Sequence, residues 1–300
     1  MIITISMELD IIISISVMLQ LAIGLPSNLV SLIIWTKGKK SKSLSCSMYF
    51  RLVTLSDALS LLIIFYLTWL WRGDPVSFQL MFFFKYFLPS LSTWLMVCIS
   101  FERYLSLICP FSFRPAGARI RALIAFVCLV MILTGINSYV FFMNDYDLLK
   151  YTLILHEIAT LWTLCIIPFV LINLTNILIL IKLYQMKQQR LGRNRQSNHA
   201  TSFTKMAIIS CVLQSISIAP LMILMLLRYY YSDVAVYQET EFILSAIVYC
   251  TIYLNNCFNF FIYYCNSSNF RSDFKEMCCC CCRRNTIHQL NATTIASTRI

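Results

Sequence analysis

The chain has 300 residues, of which 59% are hydrophobic and only 12% are charged. A soluble globular domain carries about 25% charged residues, so this composition excludes a water-soluble fold and favours an integral membrane protein. The formal net charge of +11 lies in short loops and the C-terminal tail, which argues against a nucleic-acid-binding patch.

Seven apolar segments are long enough to cross a bilayer, which takes about 20 apolar residues in a helix. The second segment contains only Asp57 as a charged residue, and the third contains only Glu102 and Arg103. We therefore predict an all-α integral membrane protein with a bundle of seven transmembrane helices. The predicted spans cover residues 11–36, 52–71, 86–109, 122–144, 158–181, 206–227 and 242–265.

The segments between the spans differ in charge from one side of the membrane to the other. Those at 37–51, 110–121 and 182–205 contain Lys and Arg but no acid, whereas nine acids lie on the other side. An excess of Lys and Arg marks the cytoplasmic side. We therefore expect a plasma-membrane protein with a short extracellular N-terminus (1–10), a seven-helix domain (11–265) and a cytoplasmic tail (266–300).

The tail begins with a short amphipathic stretch, "NFRSDFKEM" at 269–277, in which Phe270 and Phe274 share one face. Five cysteines follow this stretch directly. Cytoplasmic cysteines beside an amphipathic helix are typical of S-palmitoylation, whereas a metal site normally uses a CxxC spacing. An unmodified cysteine tract is the alternative. The predicted acylation sites are Cys278, Cys279, Cys280, Cys281 and Cys282.

Several polar side chains lie inside the predicted spans, where their insertion is costly and therefore indicates function. Asp57 lies in the middle of the second span, and Asn255 and Asn259 share one face of the seventh. Together with Asn28 and Ser92, these residues fit two interpretations. In one they hold a small cation or a water network, and in the other they serve only as polar contacts between helices. The residue types alone leave both interpretations open.

In this order and spacing, the motifs resemble those of the rhodopsin-like (class A) G-protein-coupled receptors across about residues 11–282. The resemblance is to a divergent member, of the invertebrate peptide-type or chemosensory kind. Departures are the absence of cysteine from 72–90 and 140–157, where the family has its outer disulfide, and Ile218 in place of the tryptophan of the sixth helix. The matching features are Asn28, "LSD" at 55–57, "ERY" at 102–104, Pro168, Pro220 and "NFFIY" at 259–263, with Phe260 in place of proline.

The resemblance implies a receptor that transduces an extracellular ligand to heterotrimeric G proteins, with no enzymatic activity and no cofactor. It also implies that "FRSDF" at 270–274 belongs to a short eighth helix parallel to the membrane. In that family the arginine of "ERY" is held at rest by its neighbouring acid and is freed on activation. The implied coupling switch is Glu102, Arg103, Tyr104 and Tyr263, with Tyr264 as an alternative to Tyr263. The implied pocket for a sodium ion, as an allosteric ligand, is Asn28, Asp57, Ser92, Asn255 and Asn259.

Lys85 is the residue that directs our expectation for the ligand. It lies roughly 27 Å outward from Arg103 at 1.5 Å per residue, in the region where this family binds small ligands. Lys85 either faces inward and requires an anion, or extends outward to the lipid headgroups. We expect a peptide presenting a carboxylate or a small anionic molecule. The predicted pocket residues are Lys85, Tyr86, Glu157, Arg228, Tyr249 and Tyr253.

Two other functions are compatible with seven spans. Transporters usually show internal repeats and broken helices, and this chain has six glycines and no paired repeat. The missing tryptophan and disulfide keep a seven-helix protein that no longer signals as an alternative. The three histidines are dispersed, so neither an enzyme active site nor a metal site is expected.

Overall fold

The computed structural model describes residues 2–42, 46–70, 75–109, 117–142, 158–189, 198–231 and 237–278. These residues form an all-α bundle, which confirms the predicted fold class. The helices in chain order are α1 (Ile2–Lys37), α2 (Ser47–Phe65), α3 (Pro75–Ile108), α4 (Ala118–Asn137), α5 (Ile167–Gln189), α6 (Asn198–Tyr231), α7 (Tyr237–Thr251), α8 (Leu254–Asn266) and α9 (268–278).

Six helices among the described residues are long and apolar enough to cross a membrane, and they correspond to the first six predicted spans. The seventh predicted span, 242–265, is divided between α7 and α8 by a turn at Ile252 and Tyr253. The seventh crossing is therefore built from two helices, where the apolar pattern predicted one.

The middle of the bundle is occupied by α3. About two-thirds (67%) of the most apolar 18-residue stretch of α3 is buried, whereas only 17% of the corresponding stretch of α4 is buried. α3 contacts α2, α4, α5 and α6, whereas α1 packs on α2, α7 and α8. Large apolar side chains such as Ile124, Met131 and Val170 are exposed on the outside. An apolar exterior around a partly polar interior is the arrangement that a lipid environment favours.

Two helices contain a wider, π-helical turn. One follows α2 at Tyr66–Leu70, and the other, Leu161–Ile166, directly precedes α5. Pro168 lies two residues beyond the second turn. Because proline has no N–H and its ring clashes with the carbonyl four residues before it, the preceding turn must widen, and Leu161–Ile166 provides this widening. Pro168 is therefore accommodated without ending the helix.

The contact between α1 and the seventh crossing depends on a glycine. A Cβ added at Gly24 would lie 2.5 Å from Leu61 Cδ1 and 3.0 Å from Cys257 Sγ. Both distances are shorter than an ordinary van der Waals contact, so glycine lets α1 approach α2 and α8 without displacing these side chains. Small residues serve the same purpose at other helix interfaces in membranes.

Side chains of α1 also bond to the backbone of the seventh crossing on both sides of its break. Gln20 Nε2 donates to the carbonyl of Cys250 in α7 at 3.1 Å. Ser27 Oγ donates to the carbonyl of Cys257 in α8 at 3.1 Å, and Asn28 Nδ2 donates to that of Asn256 at 2.5 Å. α1 therefore links the two halves of the seventh crossing.

Replacement of Gly24 by valine should destabilise the protein, because the new side chain would overlap Leu61 and Cys257. Overpacking of this kind costs about 1–3 kcal/mol, so the thermal midpoint of the purified protein in detergent should fall by roughly 3–10 °C. The control is Gly135→Val in α4, where no described atom lies within 4 Å of an added Cβ. Equal shifts for the two variants would contradict the close-contact role of Gly24.

Candidate functional site

The residues predicted to form the coupling switch lie at one end of the bundle. We call it the basic end, and define it by residues 37–42, the last two turns of α3, the first turn of α4, and α9. Glu102 is almost fully buried there, and Tyr104 is half-buried. The four predicted switch residues come from α3 and α8.

The carboxylate of Glu102 is bound by an arginine that the sequence analysis did not single out. Arg121, in the first turn of α4, donates from Nη2 to Glu102 Oε1 and from Nε to Oε2, the second at 3.3 Å. Such a two-pronged contact is the strong form of an arginine–carboxylate pair. Arg121 is visible in the sequence only as one of several basic residues before the fourth span, and no spacing rule connects it to Glu102.

Arg103 reaches in a different direction. Its Nη2 donates to Cys46 Sγ at 2.7 Å, and Cys46 is fully buried just before α2. Adjacent residues on a helix point to different sides, which explains how Glu102 contacts α4 while Arg103 contacts the start of α2. The sequence analysis did not single out Cys46 and missed this contact.

Tyr263, at the end of α8, is fully buried in an aromatic cluster at the basic end. Its ring centroid lies 5.0 Å from that of Phe50, 5.5 Å from that of Trp35 and 5.6 Å from that of Phe270. Tyr264 instead packs edge-on against Phe274 of α9. Of the two tyrosines considered for the switch, Tyr263 is therefore the one inside the bundle.

α9 is attached to the α1–α2 loop by a buried carboxylate. Asp273 accepts the backbone N–H of Ser41 at 2.7 Å and that of Lys40 at 3.2 Å. A Cβ at Gly38 would lie 2.5 Å from Asp273 Oδ2, so the loop needs glycine there. Of the predicted acylation sites, Cys278 is exposed at the end of α9, and Cys279, Cys280, Cys281 and Cys282 lie outside the described residues.

Asp57 forms a polar centre between α2, α3 and α8. The Ser92 hydroxyl donates to Asp57 Oδ1 at 2.6 Å, and Asn259 Nδ2 donates to Oδ2 at 2.6 Å. Asp57 and Asn259 are fully buried. Three of the five residues predicted for this pocket, Asp57, Ser92 and Asn259, are therefore in direct contact.

The other two predicted residues lie around this centre without a described bond to Asp57. Asn28 donates to the backbone of α8, and Asn255 precedes Asn259 by one turn on the same buried face. The Oδ1 atoms of Asn28, Asn255 and Asn259 are buried and have no hydrogen-bond partner among the described residues. Carboxylate, hydroxyl and amide oxygens are ligands that hard cations prefer. The residues present therefore fit a small cation such as sodium.

A second polar layer, which sequence reasoning did not identify, joins α3, α5 and α6. Gln214 Nε2 of α6 donates to Thr93 Oγ1 of α3 at 2.8 Å. The other two links connect α5 with α3 and with α6. They run from Thr175 Oγ1 to Ser100 Oγ at 2.9 Å and from Asn173 Nδ2 to Ser215 Oγ at 3.1 Å. Gln214 lies one helical turn before Ile218, so it contributes polar contacts near the position of the missing tryptophan.

A cavity with about 600 Å³ of free space, its open mouth included, lies toward the opposite end from Arg103. Lys85 is the only charged residue among its described lining residues, and its Nζ lies 5.5 Å from the ring centroid of Tyr86. Lys85 therefore faces the cavity, as one of the two interpretations predicted. The lining residues are Lys85, Tyr86, Pro89, Leu164, Leu221, Leu224, Met225, Ser245, Val248, Ile252 and Tyr253.

The remaining residues predicted for the ligand pocket are less completely described. Glu157 lies outside the described residues. Arg228 is in the last turn of α6 and Tyr249 is in α7, but the side chains of both lie outside the description. The structure therefore supports Lys85, Tyr86 and Tyr253 as cavity residues.

A bundle of long apolar helices with a cavity at one end defines the class, a polytopic helical membrane protein. The family model described as the seven-transmembrane receptors of the rhodopsin family matches residues 27–263. The chain belongs to this receptor family. No curated protein matches the chain.

Proposed function

We propose that the protein is a G-protein-coupled receptor of the plasma membrane, which transduces an extracellular ligand to heterotrimeric G proteins. The observation that carries the proposal is the continuity of α8, which starts beside the cavity and ends at the basic end. By the rule for Lys and Arg in loops, the basic end faces the cytoplasm, where it is accessible to a G protein.

The path through α8 can be followed residue by residue. Tyr253, just before α8, lines the cavity. Asn259, in the middle, donates to Asp57, and Tyr263, near the end, packs on Trp35 and Phe50. These residues span about 15 Å at 1.5 Å per residue. A ligand that alters the packing of Tyr253 would therefore bias the contacts at the basic end, provided that it binds one state more tightly.

α6 is the second element that connects the cavity with the basic end. Leu221, Leu224 and Met225 of α6 line the cavity, and about two turns further from it Gln214 is bonded to Thr93 of α3. We propose that this bond holds α6 against α3 at rest, because a buried amide that lost it would need a new partner. The Gln214–Thr93 bond would supply a restraint on α6 that the apolar side chain of Ile218, at the position of the missing tryptophan, does not provide.

A sodium ion would be held by Asp57, with Ser92, Asn255 and Asn259 supplying further oxygens, and would add a positive charge beside the buried carboxylate. Because Asp57 joins α2, α3 and α8, a cation there favours the compact arrangement of these helices. We propose that sodium acts in this way as an allosteric ligand of the resting state.

The cavity favours a small amphipathic anion as the ligand. Lys85 provides a cation, and the described lining is otherwise mainly apolar, with Leu164, Leu221 and Val248 among its members. A carboxylate beside Lys85 would pair with the ammonium while its hydrocarbon part is buried. A peptide that inserts a terminal carboxylate satisfies the same chemistry, whereas a cationic amine does not.

The cysteine tract that starts at Cys278 is proposed to be palmitoylated. Cys278 is exposed at the end of α9, and the same helix carries the half-buried side chains of Phe274 and Met277. Two or more acyl chains give stable membrane attachment, where one chain is marginal.

A seven-helix protein that does not signal is the second candidate, and the observation in its favour is Ile218 in place of the tryptophan. The break in the seventh crossing resembles the discontinuous helices of transporters, but those occur as pairs in repeated halves. G-protein activation separates the receptor from both alternatives.

Arg103→Ala should reduce G-protein activation by about tenfold or more, which is within the range of typical coupling free energies. Nucleotide exchange on a panel of purified heterotrimers, with receptor in nanodiscs and a ligand library, measures this effect. Arg119→Ala, which removes an exposed charge in the first turn of α4, is the control and should retain activity. Full activation by Arg103→Ala at normal receptor levels would rule out the switch role.

Sodium should stabilise the purified receptor against heat when compared with potassium at the same ionic strength, because a bound ligand raises the unfolding free energy. Asp57→Asn should abolish this difference. Asp273→Asn removes another buried carboxylate, outside the pocket, and should leave the sodium effect intact. If the wild-type midpoint is the same in both salts, the Asp57 centre serves only as a contact between helices.

Lys85→Gln should weaken anionic ligands by more than about tenfold, or about 1.4 kcal/mol, because it removes the charge that pairs with the ligand. Matched panels of aliphatic carboxylates and the corresponding amines, compared by thermal shift of the purified receptor, measure the preference. Lys85→Arg keeps the charge and should retain most of the affinity. Selective stabilisation by the amines would overturn the assignment.

A further inference from the structure

Two arginines at the basic end bond to different acceptors. Arg121 holds both oxygens of Glu102, while Arg103, the next residue along α3, donates to the thiol of Cys46 at 2.7 Å. The side chain of Glu102 is only 7% exposed, so bulk water offers it little alternative solvation. Loss of Arg121 would therefore leave a buried carboxylate without the cation that binds both of its oxygens.

The two acceptors differ greatly in strength. A thiol sulfur is a weak acceptor, whereas a carboxylate with a guanidinium forms a short, charge-assisted pair. Although Arg103 and Glu102 leave α3 in different directions, the long, flexible side chain of Arg103 can turn back toward its neighbour. Its guanidinium would form a stronger bond with the Glu102 carboxylate than with the Cys46 thiol if the carboxylate were available. It is the contact from α4 that makes the carboxylate unavailable.

We propose that Arg121 is a positioning residue of the coupling switch: by holding Glu102, it keeps Arg103 on Cys46 and away from the carboxylate. This inference rests on the proposed function, since it concerns the same arginine. The resting restraint on Arg103 is accordingly set by α4 and by the start of α2, and not by a direct contact with the neighbouring acid.

Loss of Arg121 should therefore lower coupling to the G protein instead of raising it. Arg121→Gln releases Glu102, which then captures Arg103 in a charge-assisted pair, so coupling becomes harder. Glu102→Gln leaves Arg103 on Cys46 and changes coupling little. In the simple arrangement where Glu102 alone restrains Arg103, Glu102→Gln would instead raise ligand-independent activity.

A double-mutant cycle on thermal unfolding tests the competition without any ligand or G protein. The four proteins are wild type, Arg121→Gln, Arg103→Gln and the double variant, each purified in the same detergent. With Arg103 present, Glu102 regains a partner after loss of Arg121; with Arg103 absent, a buried carboxylate loses its cation. The fall in midpoint caused by Arg121→Gln should be at least about twice as large in the Arg103→Gln background.

Equal falls in the two backgrounds would overturn the proposal, because independent residues act additively. Arg119→Gln, two residues before Arg121 in the same turn, is the matched control and should give equal falls. Arg121→Lys keeps the charge but loses the two-pronged contact, and provides the same comparison at smaller amplitude if Arg121→Gln does not fold.

Ligand-independent nucleotide exchange is a second measurement, because a purely structural role of Arg121 would leave the exchange rate unchanged. With the heterotrimer that responds to wild type, Arg121→Gln should exchange several-fold more slowly than Arg119→Gln, and a rate equal or higher would contradict the proposal. If no heterotrimer responds to wild type, the receptor function fails, while the thermal cycle still decides whether the arginines compete.

Discussion

Polar groups inside an apolar medium must be satisfied by other parts of the protein, and this constraint organises the structure around the broken seventh crossing. α7 and α8 meet at Ile252 and Tyr253, and α1 bonds to carbonyls on both sides of that turn through Gln20, Ser27 and Asn28. These bonds fix the rotation of α8 about its own axis and its position along the bundle. Both the polar centre at Asp57 and the aromatic cluster around Tyr263 depend on that setting.

The ionisable groups of the interior follow the same constraint through different partners. Asp57 is held by a hydroxyl and an amide, and Glu102 by an arginine from another helix. These carboxylates lie in α2 and α3, but their partners come from α3, α8 and α4. A movement of α8 or α4 therefore changes the surroundings of a buried acid, which is the kind of coupling that a two-state receptor requires.

The sequence predicts the parts of the structure that depend on composition and helical spacing. Apolar runs locate the spans, and the one-turn spacing of Asn255 and Asn259 predicts their common face beside Asp57. The break at Ile252 and Tyr253 could not be predicted, because neither glycine nor proline marks it. Arg121 and Cys46 were missed for another reason: their roles arise from contacts between helices that are distant in sequence, about which periodicity contains no information.

The attachment of α9 has a consequence for what lipidation can do in this protein. Asp273 is nearly fully buried and accepts two backbone N–H groups of the α1–α2 loop, while Phe270 packs into the cluster around Trp35. α9 is therefore a fixed part of the protein, whether or not an acyl chain follows it. Fatty acids on the adjoining cysteines would be presented at a defined point, so gain or loss of acylation would change the lateral distribution of the protein among membrane regions, with the fold of its last helix unaltered.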